Sequence, residues 1–120
     1  MSSEVLHVAR EKLKPHTLHL HYALTSLMEE LEAVDWYRQR ADDTDDANLR
    51  AVLLHNAKEE MEHASMLIEW IRRNEPLFDK QLREYLFTDK PIVEVEHEAM
   101  DRGSPIKENE PDDRGAPVKR

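Results

Sequence analysis

Cysteine is absent from the 120 residues, which excludes disulfides, thiolate metal sites and iron–sulfur clusters. Any metal would have to be held by oxygen and imidazole nitrogen. Glycine is almost absent too: only Gly103 and Gly115 occur. The residues before them, dominated by Leu, Ala, Glu, Lys and Arg, favour helix over sheet. Positive charge is in deficit, with a formal net charge of −9. Without a basic stripe to displace phosphate counterions, nucleic acid is not an expected partner, and cations are better matched. There is no apolar run long enough to span a bilayer and no charged-then-apolar opening segment. No membrane association is expected, and the expected location is the cytoplasm.

What is present predicts an all-α fold, an antiparallel two-helix hairpin followed by a short third helix. A chain of this length builds one domain with a modest core, which leaves room for a partner surface. Pro15 lacks an amide hydrogen and restricts Lys14, so it opens a helix and ends any short helix over residues 4–13. From about 15 to 40, Leu20, Leu24, Leu27, Leu31 and Val34 recur at alternating steps of four and three, an amphipathic seam. Asp42, Asp43, Thr44, Asp45 and Asp46 form a polar turn with capping side chains. A second helix is expected over about 46–73, with the seam Leu49, Leu53, Asn56, Glu60, His63, Leu67 and Trp70. Asn74-Glu75-Pro76 ends it and opens a third helix over about 76–87, whose apolar face is expected to pack on the hairpin or on a neighbouring chain. Residues 1–96 form the helical domain, with 1–14 as an N-terminal segment. Beyond it, 97–120 reads as a flexible tail, with a marginal helix over 92–102.

Two seam positions of the second helix carry Glu60 and His63, where leucine would be expected, and burying such groups is costly unless they are paired or bound to metal. Glu30 and Glu60 are symmetric about the turn, so the hairpin sets them at one height. His63, three residues after Glu60, lies on the same face. Two carboxylates and an imidazole thus converge, the donor mixture that suits iron and leaves positions open for oxygen or water. A dinuclear site in a ferritin-like bundle needs two such sets. A second copy of the chain, related by a twofold axis, completes it most simply.

Other features carry blander readings. Glu4-Val5-Leu6-His7 and Glu94-Val95-Glu96-His97 repeat the Glu-x-x-His spacing without a facing carboxylate and are read as coincidental. His16, His19 and His21 are read as a partly solvated helix face. Glu29 and Glu32 flank the seam, where they solubilise the helix or attract cations. Trp36 and Tyr37 pack beside the site or at an interface, and Trp70 belongs to core or interface. The polar seam also fits a helical adaptor without enzymatic activity, its buried charges specifying oligomer register. A di-iron oxidase or peroxidase acting on a small substrate is a further alternative.

The run Met28-Glu29-Glu30-Leu31-Glu32-Ala33-Val34-Asp35-Trp36-Tyr37, with His55-Asn56 and Glu59-Glu60-Met61-Glu62-His63-Ala64, resembles the encapsulated ferritins. The similarity extends through Glu69-Trp70-Ile71-Arg72-Arg73-Asn74 and Tyr85-Leu86-Phe87-Thr88. The resemblance implies a two-helix half-ferritin whose homodimers complete a four-helix bundle and a di-iron ferroxidase centre with two iron ions per dimer. It further implies an annular decamer carried as cargo in an encapsulin nanocompartment, where ferric mineral accumulates. By position, Glu30, Glu60 and His63 match the iron ligands, with Glu60 bridging, and Glu29 and Glu32 match the residues where metal enters. Tyr37 matches an aromatic near the centre. Cargo tails of that family usually end in a Gly-Ser-Leu-type peptide. Here Asp101-Arg102-Gly103-Ser104-Pro105-Ile106-Lys107 is echoed by Asp113-Arg114-Gly115-Ala116-Pro117-Val118-Lys119, a divergent motif used twice.

Overall fold

A proline stands at the first helical position of two of the helices, where its missing N–H costs nothing. Pro15 opens α1 (Pro15–Asp43) behind the extended Lys14, and Pro76 opens α3 (Pro76–Tyr85) behind the extended Glu75. Between them runs α2 (Ala47–Asn74), and α4 (Ile92–Asp101) follows α3. The computed structural model describes residues 5–101, and among the described residues there is no strand. None of their helices is long and apolar enough to cross a membrane. The chain divides after Trp70 into two compact units.

In the first unit, the described residues before Pro15 form a short 3-10 turn, Arg10–Lys12, where a short helix over 4–13 was one possibility. The side chain of Arg10 donates to the Tyr22 hydroxyl at 2.7 Å, fastening that segment to α1. Three residues, Thr44 to Asp46, connect α1 to α2. Asp46 Oδ1 accepts the backbone N–H groups of Asn48 (2.9 Å) and Leu49 (3.1 Å), capping α2 where its first amides lack helical partners. From inside α2, Arg50 reaches back, donating from Nε to Ala41 O at 3.0 Å and from its terminal nitrogen to Thr44 O. Those carbonyls sit at the end of α1, where the helix dipole favours a cation. α1 therefore runs on to Asp43, three residues past the end expected at 40.

Contacts between residues 41 and 50, and between residue 30 and residues 60 and 63, fix α1 and α2 as an antiparallel hairpin. Among the described residues of this unit, the buried positions are small: Ala23 and Ala41 on α1, Ala57 and Ala64 on α2. Alanine lets two helix backbones approach closely, and the larger seam residues then straddle the contact. Leu31 and Leu49, both on the expected seams, are 52% and 46% exposed. A single hairpin has no further layer to cover them.

In the second unit, Asp79 on α3 takes charge-assisted hydrogen bonds from Arg72 near the end of α2 and from Arg83 Nε at 3.0 and 3.1 Å. Burial pushes the Asp79 carboxyl up, but the two guanidinium groups outweigh it and hold it below the usual carboxylate range. α3 ends at Tyr85, and the following turn sets Phe87 in the left-handed region at φ 61°. Thr88 Oγ1 donates to Tyr85 O at 2.9 Å there. Lys90 then pairs with Glu98 at 2.8 and 2.9 Å across the start of α4, which buries Val95. The marginal helix expected over 92–102 is present as α4, as far as Asp101. The two tail repeats, Asp101 apart, lie outside the described residues.

Candidate metal centre

Glu30 sits near the middle of α1, on the face it shares with Ala23 and Tyr37 at seven-residue spacing, close to two helical turns. Across the hairpin stand Glu60 and His63 of α2. One ligating atom from each of Glu30, Glu60 and His63 lies within 4.8 Å of the others. His63 Nδ1 is 3.4 Å from Glu60 Oε2 and 3.6 Å from Glu30 Oε2. The two carboxylates are sheltered, with side chains 24% (Glu30) and 22% (Glu60) exposed, while the imidazole is 44% exposed.

One atom in this group is out of balance. Glu30 Oε2 is buried and has no hydrogen-bond partner. Its neighbour His63 Nδ1, at 3.6 Å, is beyond hydrogen-bonding reach. An unsatisfied carboxylate oxygen is among the costlier groups to bury, and a cation between the three side chains would satisfy it. Two carboxylates and a neutral imidazole also match the charge and donor preference of a divalent transition metal. The residues present therefore fit iron.

The remaining site residues predicted from the sequence lie on α1, the helix that carries Glu30. Glu29 is exposed and Glu32 half-buried on α1, and neither joins the cluster. Trp36 is exposed and Tyr37 half-buried. The guanidinium of Arg40 lies over both rings, 5.7 and 6.0 Å from their centroids, a cation–π arrangement that periodicity alone does not signal. Among the described residues, neither Glu94 with His97 nor the three histidines at the start of α1 joins a cluster able to hold an ion. Glu4 lies outside the described residues.

A second group went unread in the sequence. Ligating atoms of Glu59, Glu62 and His63 also lie within 4.8 Å of one another. His55 Nε2 stands 3.3 Å from Glu59 Oε1. The available signal was the spacing of 55, 59, 62 and 63, one face of a helix. It is masked by the frequency of glutamate on solvated faces.

The chain has close relatives. The family described as EncFtn-like matches residues 5–89. An encapsulated ferritin-like protein of Rhodospirillum rubrum is 52% identical over 95 residues, covering 79% of this chain and 68% of that protein. A ferritin-like protein of Thermotoga maritima is 62% identical over 77 residues, covering 64% of this chain and 68% of its own. Among solved structures, a crystal structure of a Nitrosomonas europaea protein superposes with a TM-score of 0.71 at 52% identity. That match covers 73% of this chain and 97% of the other.

Proposed function

Because this chain belongs to the EncFtn-like family of encapsulated ferritin-like proteins, we propose that it is a ferroxidase, oxidising Fe(II) at a centre that two copies of the chain complete. Its product would be ferric iron for mineral storage inside an encapsulin shell. The observation that carries the reading is the convergence of Glu30, Glu60 and His63 on one point, with an oxygen of Glu30 buried and unsatisfied.

One chain supplies three ligands, half of what a dinuclear carboxylate site requires. A twofold dimer across this face doubles the set and makes a four-helix bundle from two hairpins. The exposed apolar side chains of the hairpin support such a partner: Leu31, Trp36, Leu49, Val52, Met61 and Met66 are each at least 42% exposed. That much uncovered apolar surface on a small protein marks an interaction face. The family resemblance supports a further association of dimers into an annular decamer as part of this reading.

In this reading Fe(II) is the substrate and supplies the electrons. Two Fe(II) give up one electron each, and dioxygen takes the pair with two protons to become hydrogen peroxide; peroxide can accept a further pair and become water. Glu60 holds the position between the two ions, and Glu30 and His63 bind at its sides. Neutral imidazole adds no charge, so the two carboxylates set the preference for a divalent ion, and release follows as the ferric product is displaced towards mineral. Glu29 and Glu32 would draw cations to the site from solvent, and Trp36 and Tyr37 would shield it from one side. The two tail repeats would dock the assembly to the shell.

Anaerobic loading with Fe(II) followed by oxygen tests the centre. Glu60→Ala and His63→Ala are each expected to lower the rate of ferric absorbance growth at least tenfold. Wild-type rates in both variants would refute the assignment.

A further inference from the structure

One cation of α1, Arg40, meets aromatic rings rather than carboxylates. Its guanidinium lies 5.7 Å from the ring centroid of Trp36 and 6.0 Å from that of Tyr37. Among the described residues it makes no ion pair, although Asp43 and Asp45 line the same cavity. We propose that Arg40 is a positioning residue of the metal centre, stacking on both rings so that Tyr37 keeps one orientation on the face it shares with Glu30. The inference rests on the reading of Glu30, Glu60 and His63 as iron ligands.

Helix geometry, exposure and chemistry agree on it. An arginine three and four residues after two aromatics comes over both, because helical side chains lean back towards the N-terminus. Tyr37 leans the same way, towards Glu30 two turns earlier. Tyr37 is half-buried, and Trp36 beside it is 47% exposed. Arg40 itself borders an open cavity of about 680 Å³, lined also by Asp43, Thr44, Asp45, Leu49 and Leu53. Side chains of a packed interior are held by their neighbours, but the Trp36 ring has solvent on one side. The cation on the two ring faces supplies the holding contact instead. A guanidinium suits this better than an ammonium, being planar, weakly hydrated and able to lie flat on a ring. The Tyr37 hydroxyl can both donate and accept a hydrogen bond, and it can order the groups around the centre only while its ring keeps one orientation. Small displacements of such supporting groups lower the rate of a site whose own ligands are intact.

Fluorotryptophan incorporation gives one fluorine resonance for each of the two tryptophans, assigned with Trp70→Phe. In the metal-free protein, Arg40→Leu is expected to shift and broaden the Trp36 line and to leave the Trp70 line in place. An unmoved Trp36 line overturns the proposal. Cobalt(II), which binds the same donors without being consumed by oxygen, reports on the centre through its visible absorption bands. Arg40→Leu should change those bands at unchanged Co(II) stoichiometry, and bands identical to wild type overturn the link from the rings to the metal. In iron oxidation the variant should lose several-fold in maximal rate while the Fe(II) concentration for half that rate stays the same, since every ligand is kept; an undiminished maximal rate overturns it too. Arg40→Lys keeps a cation over the rings and should recover part of the rate, whereas the neutral Arg40→Gln should not. Equal rates in these two refute the role of the charge, and the pair decides alone if Arg40→Leu does not fold. Should wild type prove not to oxidise iron at all, the ferroxidase reading fails, and the fluorine line and the cobalt bands still decide the positioning role.

Discussion

At the scale of single residues, the polar groups divide into those that satisfy one another and those left for a ligand. Asp79 is of the first kind. Its carboxyl is held below the ordinary range by Arg72 and Arg83 against the opposing effect of burial, so its stabilisation is present above the unfolded-state value of about 3.9. It is lost as pH falls through the lower folded-state value. Asp79→Asn should therefore lower the denaturation midpoint at pH 7, and the gap from wild type should close below about pH 4. A gap unchanged at acid pH would mean that the charge contributes nothing. Glu30 is of the second kind: its Oε2 is buried and unsatisfied. Relieving that by Glu30→Gln is expected to cost metal affinity while leaving the metal-free protein as stable as wild type or more so, read by thermal melts with and without Co(II). The residues of the inner group were legible in the sequence because glutamate and histidine interrupt a leucine seam. The outer group was not, because glutamates on a solvated face look alike whether or not they share an imidazole.

At the scale of elements, the hairpin is built by local chemistry at its turn and by small residues along its contact. Asp46 caps α2 through two backbone amides, and Asp46→Ala should cost about 1 kcal/mol, measurable by chemical denaturation. Ala57 is 1% exposed, and Ala57→Leu should force the helices apart at a cost of about 1–3 kcal/mol. That substitution should also separate Glu30 from His63 and so weaken Co(II) binding, which the turn variant should leave in place. The helices and their prolines were readable because capping and periodicity are local. The burial of the alanines was not, since a pattern of apolar positions shows which stripe faces inwards but not which residue in it is most deeply covered. α4 was only faintly visible: its ten residues are held by the Lys90–Glu98 pair and by the burial of Val95, neither of which appears in local propensity.

At the scale of the whole molecule, a two-helix hairpin cannot bury its own seams, and a second copy is the expected remedy. Native mass spectrometry should find even-numbered assemblies, with iron bound in pairs; a metal-free monomer as the sole species at micromolar concentration would contradict the dimer. Removing residues 102–120 leaves α4 whole, and this deletion should preserve iron oxidation while abolishing capture by co-expressed shell protein. Unchanged capture would exclude the tail repeats from docking.

The sequence by itself determined the helical class, a polar turn within residues 42–46, the starts at Pro15 and Pro76 and the identity of three polar residues on the seams. Each of these follows from interactions within a few positions along the chain: a missing amide, a capping carboxylate, a 3.6-residue period. Tertiary structure alone decided that Glu30 comes within 3.6 Å of His63, that its Oε2 is sealed from water and that His63 serves two clusters. Those depend on how closely two helices approach and how each is rotated about its axis. The small side chains buried along the hairpin, Ala23, Ala41, Ala57 and Ala64, leave room for close packing, and no repeat in the sequence encodes where it falls.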